Sequence, residues 1–327
     1  MNLELALTLQ QVTILPQKTI CKSRLDANIK SEVIRGVFLE APFISANMST
    51  VTSPEFCIEL DKLGALGIMH RAASDSALLL AANLISKSCS NVAMSIGTNP
   101  DQLHLAKDLI RAGANIITID VANGFSDWAI ALAKHIKVFS PSTKIILGNT
   151  TDPGVLEAAD LWVDAVKVGI ASGRACETAV ATGVHHPQFS AVLGFKDLAK
   201  AHGMPIISDG GILTAGDAAK AIGAGATSVM MGSVFASCPE SAGEITEVDG
   251  KKFKVYSGMA SRAVQDVWRG GVKEGTCPEG TTKYLPLGEP VAKLIERYSG
   301  GLRSSITYSK ANDIASFQKN VKFARVV

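Results

Sequence analysis

Short apolar or β-branched runs punctuate the chain at 42–45, 65–69, 92–96, 116–120, 145–148, 165–169, 205–208 and 228–231. Each has the length of a strand, and eight such runs is the number that a closed parallel barrel requires. The segments between them carry helix start and stop signals. Ser53-Pro54 puts a capping hydroxyl before a proline in the first turn, and Asn99-Pro100-Asp101 opens another helix with an acid suited to its N-terminus. At the far ends, Ala112-Gly113-Ala114 and Ala224-Gly225-Ala226 place a glycine where a helix must stop before the next strand. The pattern predicts a (β/α)8 barrel, with residues 1–327 forming one domain.

Two departures break this cadence. Most run-to-run steps are in the twenties, but the step from Ala165 to Pro205 is 40, and its excess holds a glycine-containing loop around Cys176. After the eighth run, residues 236–287 form a second excursion before the last helix. Within it, Val248-Asp249-Gly250-Lys251 predicts a hairpin turn between 244–246 and 253–255, because Asp-Gly tolerates the positive φ that such turns need. The glycine-rich remainder, 258–280, reads either as a flap over a site or as a long surface excursion.

Composition narrows the class. The 327 residues are 47% hydrophobic but only 6% aromatic, so the core is built from small aliphatic side chains, as close helix-on-sheet packing favours. A net charge of +2 and the absence of a Lys/Arg run of five or more argue against a nucleic-acid partner. The longest apolar stretch, 77–85, is interrupted by Asn83 and is too short for a membrane helix. The opening MNLELALTLQQV carries Glu4 and no basic or cleavage-like signal features, which predicts a cytoplasmic protein with no membrane partner. The six cysteines form no C-x-x-C pair, consistent with reduced thiols and not with structural zinc; His185 and His186 read as ordinary loop residues.

The candidate chemistry gathers at strand ends. Cys176 lies beyond the Ala165-Val166-Lys167-Val168 run, where parallel α/β folds keep their sites, and a thiolate there could attack an electrophilic carbon. The alternative is a small, inert apolar residue. Ser208-Asp209-Gly210-Gly211 and Met231-Gly232-Ser233 follow the seventh and eighth runs, where barrels often bind phosphate through backbone N–H groups, and Asp209 can accept from a sugar diol. The other reading is tight turns alone. Asp120-Val121-Ala122-Asn123-Gly124 could hold a polar ligand or simply form a turn.

Taken in order, these motifs resemble the IMP dehydrogenase and GMP reductase family, and the reductase branch more closely. The resemblance runs from Lys22-Ser23-Arg24 and Ser45-Ala46-Asn47-Met48 through the Cys176 loop, Thr182-Gly183-Val184 and Pro187-Gln188 to Gly300-Gly301-Leu302-Arg303-Ser304. It implies a (β/α)8 homotetramer that binds a purine nucleotide, GMP or IMP, with NADPH and a potassium ion. The paired regulatory domains usually inserted in the dehydrogenase are missing, and the flap carries no Arg-Tyr dyad. The implied reaction is NADPH-dependent reductive deamination of GMP to IMP and ammonia. By that likeness Cys176 attacks C2 of the purine to form a thioimidate, while Thr178 and Glu279 relay a proton to the leaving amine. The substrate positions are Ser45, Met48, Asn149, Arg174, Asp209, Gly210, Gly211, Gly232, Ser233, Gly258, Met259, Ala260 and Gly280; the cofactor positions are Arg71, Asp120, Asn123 and Gly124. Carbonyls of Ala171, Gly173 and Cys176 match the cation site.

The chain also departs from the family pattern. Where the family shows G-I-G-P-G-S-x-C-x-T, it has Ala171 for the second glycine, Ser172 for proline and Arg174 for the phosphate-contacting serine. Arg174 either replaces that contact with a charge-assisted bond or excludes phosphate by its bulk. Ser49 stands for an aspartate and Thr276 for a frequent arginine. A diverged oxidoreductase on another purine nucleotide, a dehydrogenase without regulatory domains, and a non-catalytic nucleotide-binding regulator are the competing readings.

Overall fold

The computed structural model describes residues 5–326; the sequence reading of the opening stretch falls partly on residues 1–4, outside them. Eight parallel strands close a barrel: β1 (Phe43–Ser45), β2 (Leu66–Met69), β3 (Ala93–Ile96), β4 (Ile116–Asp120), β5 (Lys144–Thr150), β6 (Ala165–Val168), β7 (Ile206–Asp209) and β8 (Ser228–Met231). Each strand pairs with the next and β8 pairs with β1, Val229 opposite Phe43. All eight predicted runs became these strands, with bounds moved by at most two residues.

Strand alternation sorts the side chains. Ile44, Ile68, Ile116, Ile146, Ala165, Ile207 and Met230 pack together inside the barrel, whereas their neighbours Phe43, Ile117, Ile145 and Val229 join the layer beneath the helices. The amino-terminal mouth is plugged by a hairpin, Ser31–Ile34 with Val37–Leu39, which adds Val33, Ile34 and Leu39 to the inner cluster. Water is thus kept from one end, and any ligand must enter at the other.

The helices start where expected. Ser53 Oγ accepts the Phe56 N–H at 3.2 Å and Pro54 takes the first helical position of Pro54–Lys62. In the excursion, β9 (Ile245–Val248) and β10 (Lys251–Ser257) meet at a two-residue turn in which Asp249 and Gly250 have φ of 51° and 72°, the left-handed values that a twisted hairpin requires. A further strand, β11 (Thr282–Pro286), pairs with β10 from Ser257–Thr282 onward. Between β10 and β11 the flap contains a helix, Arg262–Arg269. Among the described residues all six cysteines are free, and no helix is long and apolar enough to cross a membrane.

Candidate active site

At the carboxyl ends of the strands, the inward-facing parity that buries Ile116, Ala165 and Ile207 carries on to Asp120, Lys167 and Asp209. These three strands therefore aim an acid, a cation and an acid at one point. Lys167, with its side chain 3% exposed, places Nζ 2.9 Å from Asp209 Oδ2 and 3.4 Å from Asp120 Oδ1, and donates to Asn149 Oδ1 as well. Asn149 Nδ2 donates to Asp209 Oδ2 at 2.9 Å, and Arg71 Nε approaches the other Asp120 oxygen at 3.3 Å. Gly148 makes room for this hub, since a Cβ there would lie 2.5 Å from that of Lys167. Burial alone would lift the Asp120 carboxyl, but the Lys167 and Arg71 charges hold it below its ordinary value. For Lys167 burial opposes the charged form, and the carboxylates of Asp209 and Asp120 overcome it, raising the ammonium above its ordinary range.

The thiol sits above this floor. Cys176 closes a tight turn, its N–H donating to the Gly173 carbonyl at 3.0 Å, and Sγ lies 3.1 Å from Thr178 Oγ1 in the first turn of Thr178–Thr182. The flap is stitched to the same loop by backbone bonds: Glu177 N–H to Glu279 O at 2.8 Å and Thr281 N–H to Ala175 O at 3.0 Å. Glu279 is thereby held beside Cys176 and Thr178, and all three line a cavity of about 320 Å3 with Met48, Arg71, Asp120, Asn149, Lys167, Gly258, Met259 and Ala260. A second cavity, about 920 Å3, shares Met48, Ser172, Gly173, Asp209 and Tyr256 with the first and extends over Gly210, Gly211, Gly232 and Ser233. Arg174 lines this second cavity and is exposed; among the described residues it makes no ion pair, with Glu177 or any other acid.

Some expected site residues stand apart. Ser45 is fully buried, its hydroxyl 2.7 Å from Thr52 Oγ1. Asn123 shapes its own turn by accepting the Phe125 N–H, and Gly124 packs its backbone on Gly148 and Asn149. Gly280 acts through a backbone bridge to Cys176 and lines neither cavity. At the expected cation turn, Ala171 adopts φ 61° and the Gly173 carbonyl is already engaged by Cys176. No group of three or more acid, histidine or cysteine side chains that could hold a metal occurs among the described residues.

Lys167, Tyr256, Gln265, Trp268 and Arg269 line the smaller cavity without any sequence motif having pointed to them. Lys167 had a visible signal, being the one charge in an apolar strand run. Tyr256 is buried, which pushes its phenol well above the usual range and keeps it a neutral donor between the two cavities.

An eight-stranded parallel barrel thus carries, at the carboxyl ends of its strands, a cysteine turn, a buried Lys167–Asp209–Asp120 cluster and a docked flap, the arrangement of a (β/α)8 protein with its site at that face. The family model described as IMP dehydrogenase / GMP reductase domain matches residues 6–327, and the chain belongs to that family. It is 35% identical over 331 aligned positions to a GMP reductase of Enterobacter sp. (strain 638), covering 99% of this chain and 95% of that one. A GMP reductase of Vibrio campbellii is 34% identical with the same coverage. An inosine-5'-monophosphate dehydrogenase of Nitrosopumilus maritimus is 38% identical over 246 residues, 72% of this chain but only 52% of that protein.

Proposed function

We propose that the protein catalyses NADPH-dependent reductive deamination of GMP to IMP and ammonia. The observation that carries this reading is the 3.1 Å contact between Cys176 Sγ and Thr178 Oγ1 in a cavity that also holds Glu279 and Asp209. In this scheme Sγ bonds to C2 of the purine, and the C2–N bond to the exocyclic amine breaks. Thr178 and Glu279 pass the departing amine a proton, and sulfur then leaves as C2 gains hydride. A bound reduced nicotinamide would supply that hydride. The residues present suit such a group: Arg71, Asp120 and Trp268 line the cavity floor and wall beside the thiol. Asp209 keeps Oδ1 available for a ribose diol because Lys167 and Asn149 both engage Oδ2.

The reductase is favoured over the dehydrogenase because the match to reductases spans 99% of the chain and 95% of theirs, and the flap has no Arg-Tyr pair to activate water. A potassium ion at the Ala171–Gly173–Cys176 turn, a homotetramer and a cytoplasmic location belong to the same proposal. The test mixes purified protein with GMP and NADPH, or IMP and NAD+, and follows cofactor absorbance. GMP-dependent NADPH oxidation that disappears in Cys176→Ala, with GMP binding retained, is the expected result. Oxidation of IMP without reduction of GMP would make the chain a dehydrogenase, and turnover by Cys176→Ala would exclude a covalent route.

A further inference from the structure

We propose that the polar cavity between the loops after β2 and β3 and the flap helix binds a phosphate of the nicotinamide dinucleotide, with Arg269 as the recognising group. The inference rests on the nicotinamide reading above and assigns the distal part of that site. The cavity, about 340 Å3, adjoins the cysteine cavity and shares Arg71, Val121, Trp268 and Arg269 with it. A dinucleotide with its reactive ring beside Cys176 can therefore continue through this shared wall.

Charge and packing single out Arg269. The guanidinium carbons of Arg71 and Arg269 lie 5.0 Å and 4.1 Å from the centre of the Trp268 ring, so one indole supports two like charges. Arg71 is committed to Asp120 at 3.3 Å. Arg269 makes no hydrogen bond or ion pair among the described residues, although its fork of donors borders the cavity. Partial burial, and then repulsion from Arg71, push its ionisation down, so an anion at this place relieves an existing conflict. The acids that line the cavity, Asp75 and Asp101, are exposed at the starts of Asp75–Ser86 and Gln102–Arg111. There they suit ribose hydroxyls and leave the phosphate to the arginine, the division of labour that dinucleotide sites use elsewhere. Because Trp268 and Arg269 ride on the flap helix, the same contact would draw the flap toward the β2 and β3 loops. Neither residue belongs to the motifs that carry the family resemblance.

Titration calorimetry of NADP+ and of NAD+ against wild type, Arg269→Gln, Arg269→Lys and Arg262→Gln tests this. Arg262 is exposed on the same helix and lines neither cavity, so its variant should bind as wild type does. Arg269→Gln should weaken NADP+ by about tenfold or more, the scale of a lost hydrogen bond to a charged group, and lysine should restore part of it. A loss for NADP+ alone assigns the 2′-phosphate, and equal losses for both dinucleotides assign the pyrophosphate. Unchanged affinity for both in a folded Arg269→Gln overturns the proposal. Wild type that binds neither dinucleotide removes it together with the nicotinamide reading, a result distinct from failure of the arginine alone.

Discussion

Replacing Lys167 with Met would keep the length of the side chain and delete its charge. The structure makes this costly: Nζ faces Asp209 at 2.9 Å and Asp120 at 3.4 Å, and the side chain is only 3% exposed. Breaking a buried pair by removing one partner costs about 3–5 kcal/mol, because the remaining charge stays desolvated. The two carboxylates are 18% and 22% exposed, so water softens the loss and the low end, about 3 kcal/mol, applies. At about 2 °C per kcal/mol for a large chain, the melting temperature should fall by ~6 °C near neutral pH. The sign of the pH dependence also changes. In wild type Asp120 is held below its ordinary value, so its contribution is present above the unfolded carboxylate range and is lost as pH falls through the folded value. Without Lys167, burial and the mutual repulsion of Asp120 and Asp209 would raise at least one of these carboxyls. Such a group stabilises below its unfolded value and loses that contribution as pH rises. Melts followed by circular dichroism at pH 5 and pH 8 should therefore show the deficit widening with pH. A deficit under about 1 °C, or one equal at both pH values, would refute the view of Lys167 as the charge that holds the site's floor.

Three further outcomes can be checked. Arg174→Ala should weaken binding of the nucleotide 5′-monophosphate by about 1.5–3 kcal/mol and scarcely affect the nucleoside; calorimetry showing equal losses, or none, removes a direct phosphate contact. Ala171→Gly relieves a φ of 61° that an L-residue adopts at a cost of about 1–2 kcal/mol, partly offset by the looser unfolded chain, so stability should rise by up to about 1 kcal/mol; a lower melting temperature would mean that the methyl group packs usefully. Glu279→Gln should slow ammonia release far more than it weakens GMP affinity, and single-turnover deamination at the wild-type rate would take Glu279 out of the proton relay.

The barrel was legible because parallel strands buried on both faces read as apolar runs, and its hairpin because Asp249-Gly250 can hardly do anything else. β11 was not, since Thr282-Lys283-Tyr284-Leu285-Pro286 is mixed in character and ends in a proline that only an edge strand admits. Cys176 could be singled out by its place in a long interruption, but its contact with Thr178 depends on a turn and a five-residue helix that no periodicity announces. Lys167 hid inside a run read as apolar. Once strand parity is known, its inward direction follows from Ala165 two residues earlier. Ser45 came from motif likeness alone, and Asn123-Gly124 read equally as a polar-ligand site or a turn; neither signal says whether side chain or backbone does the work, and at Asn123 the side chain closes the turn.

The pairing of Ser257 with Thr282 has a consequence for how such a site can change. The 24 residues 258–281 leave and rejoin one sheet at a single cross-strand pair, so their two ends are fixed relative to each other whatever lies between. Closing such a loop costs free energy that grows only with the logarithm of its length, and lengthening it by a third adds about 0.3 kcal/mol. The stretch between these fixed ends thus behaves as an exchangeable cassette: insertions, deletions and rewritten side chains around Arg262–Arg269 can change what covers Cys176 at little cost to the barrel, provided the backbone bonds of Glu279 and Thr281 to the Cys176 loop are kept.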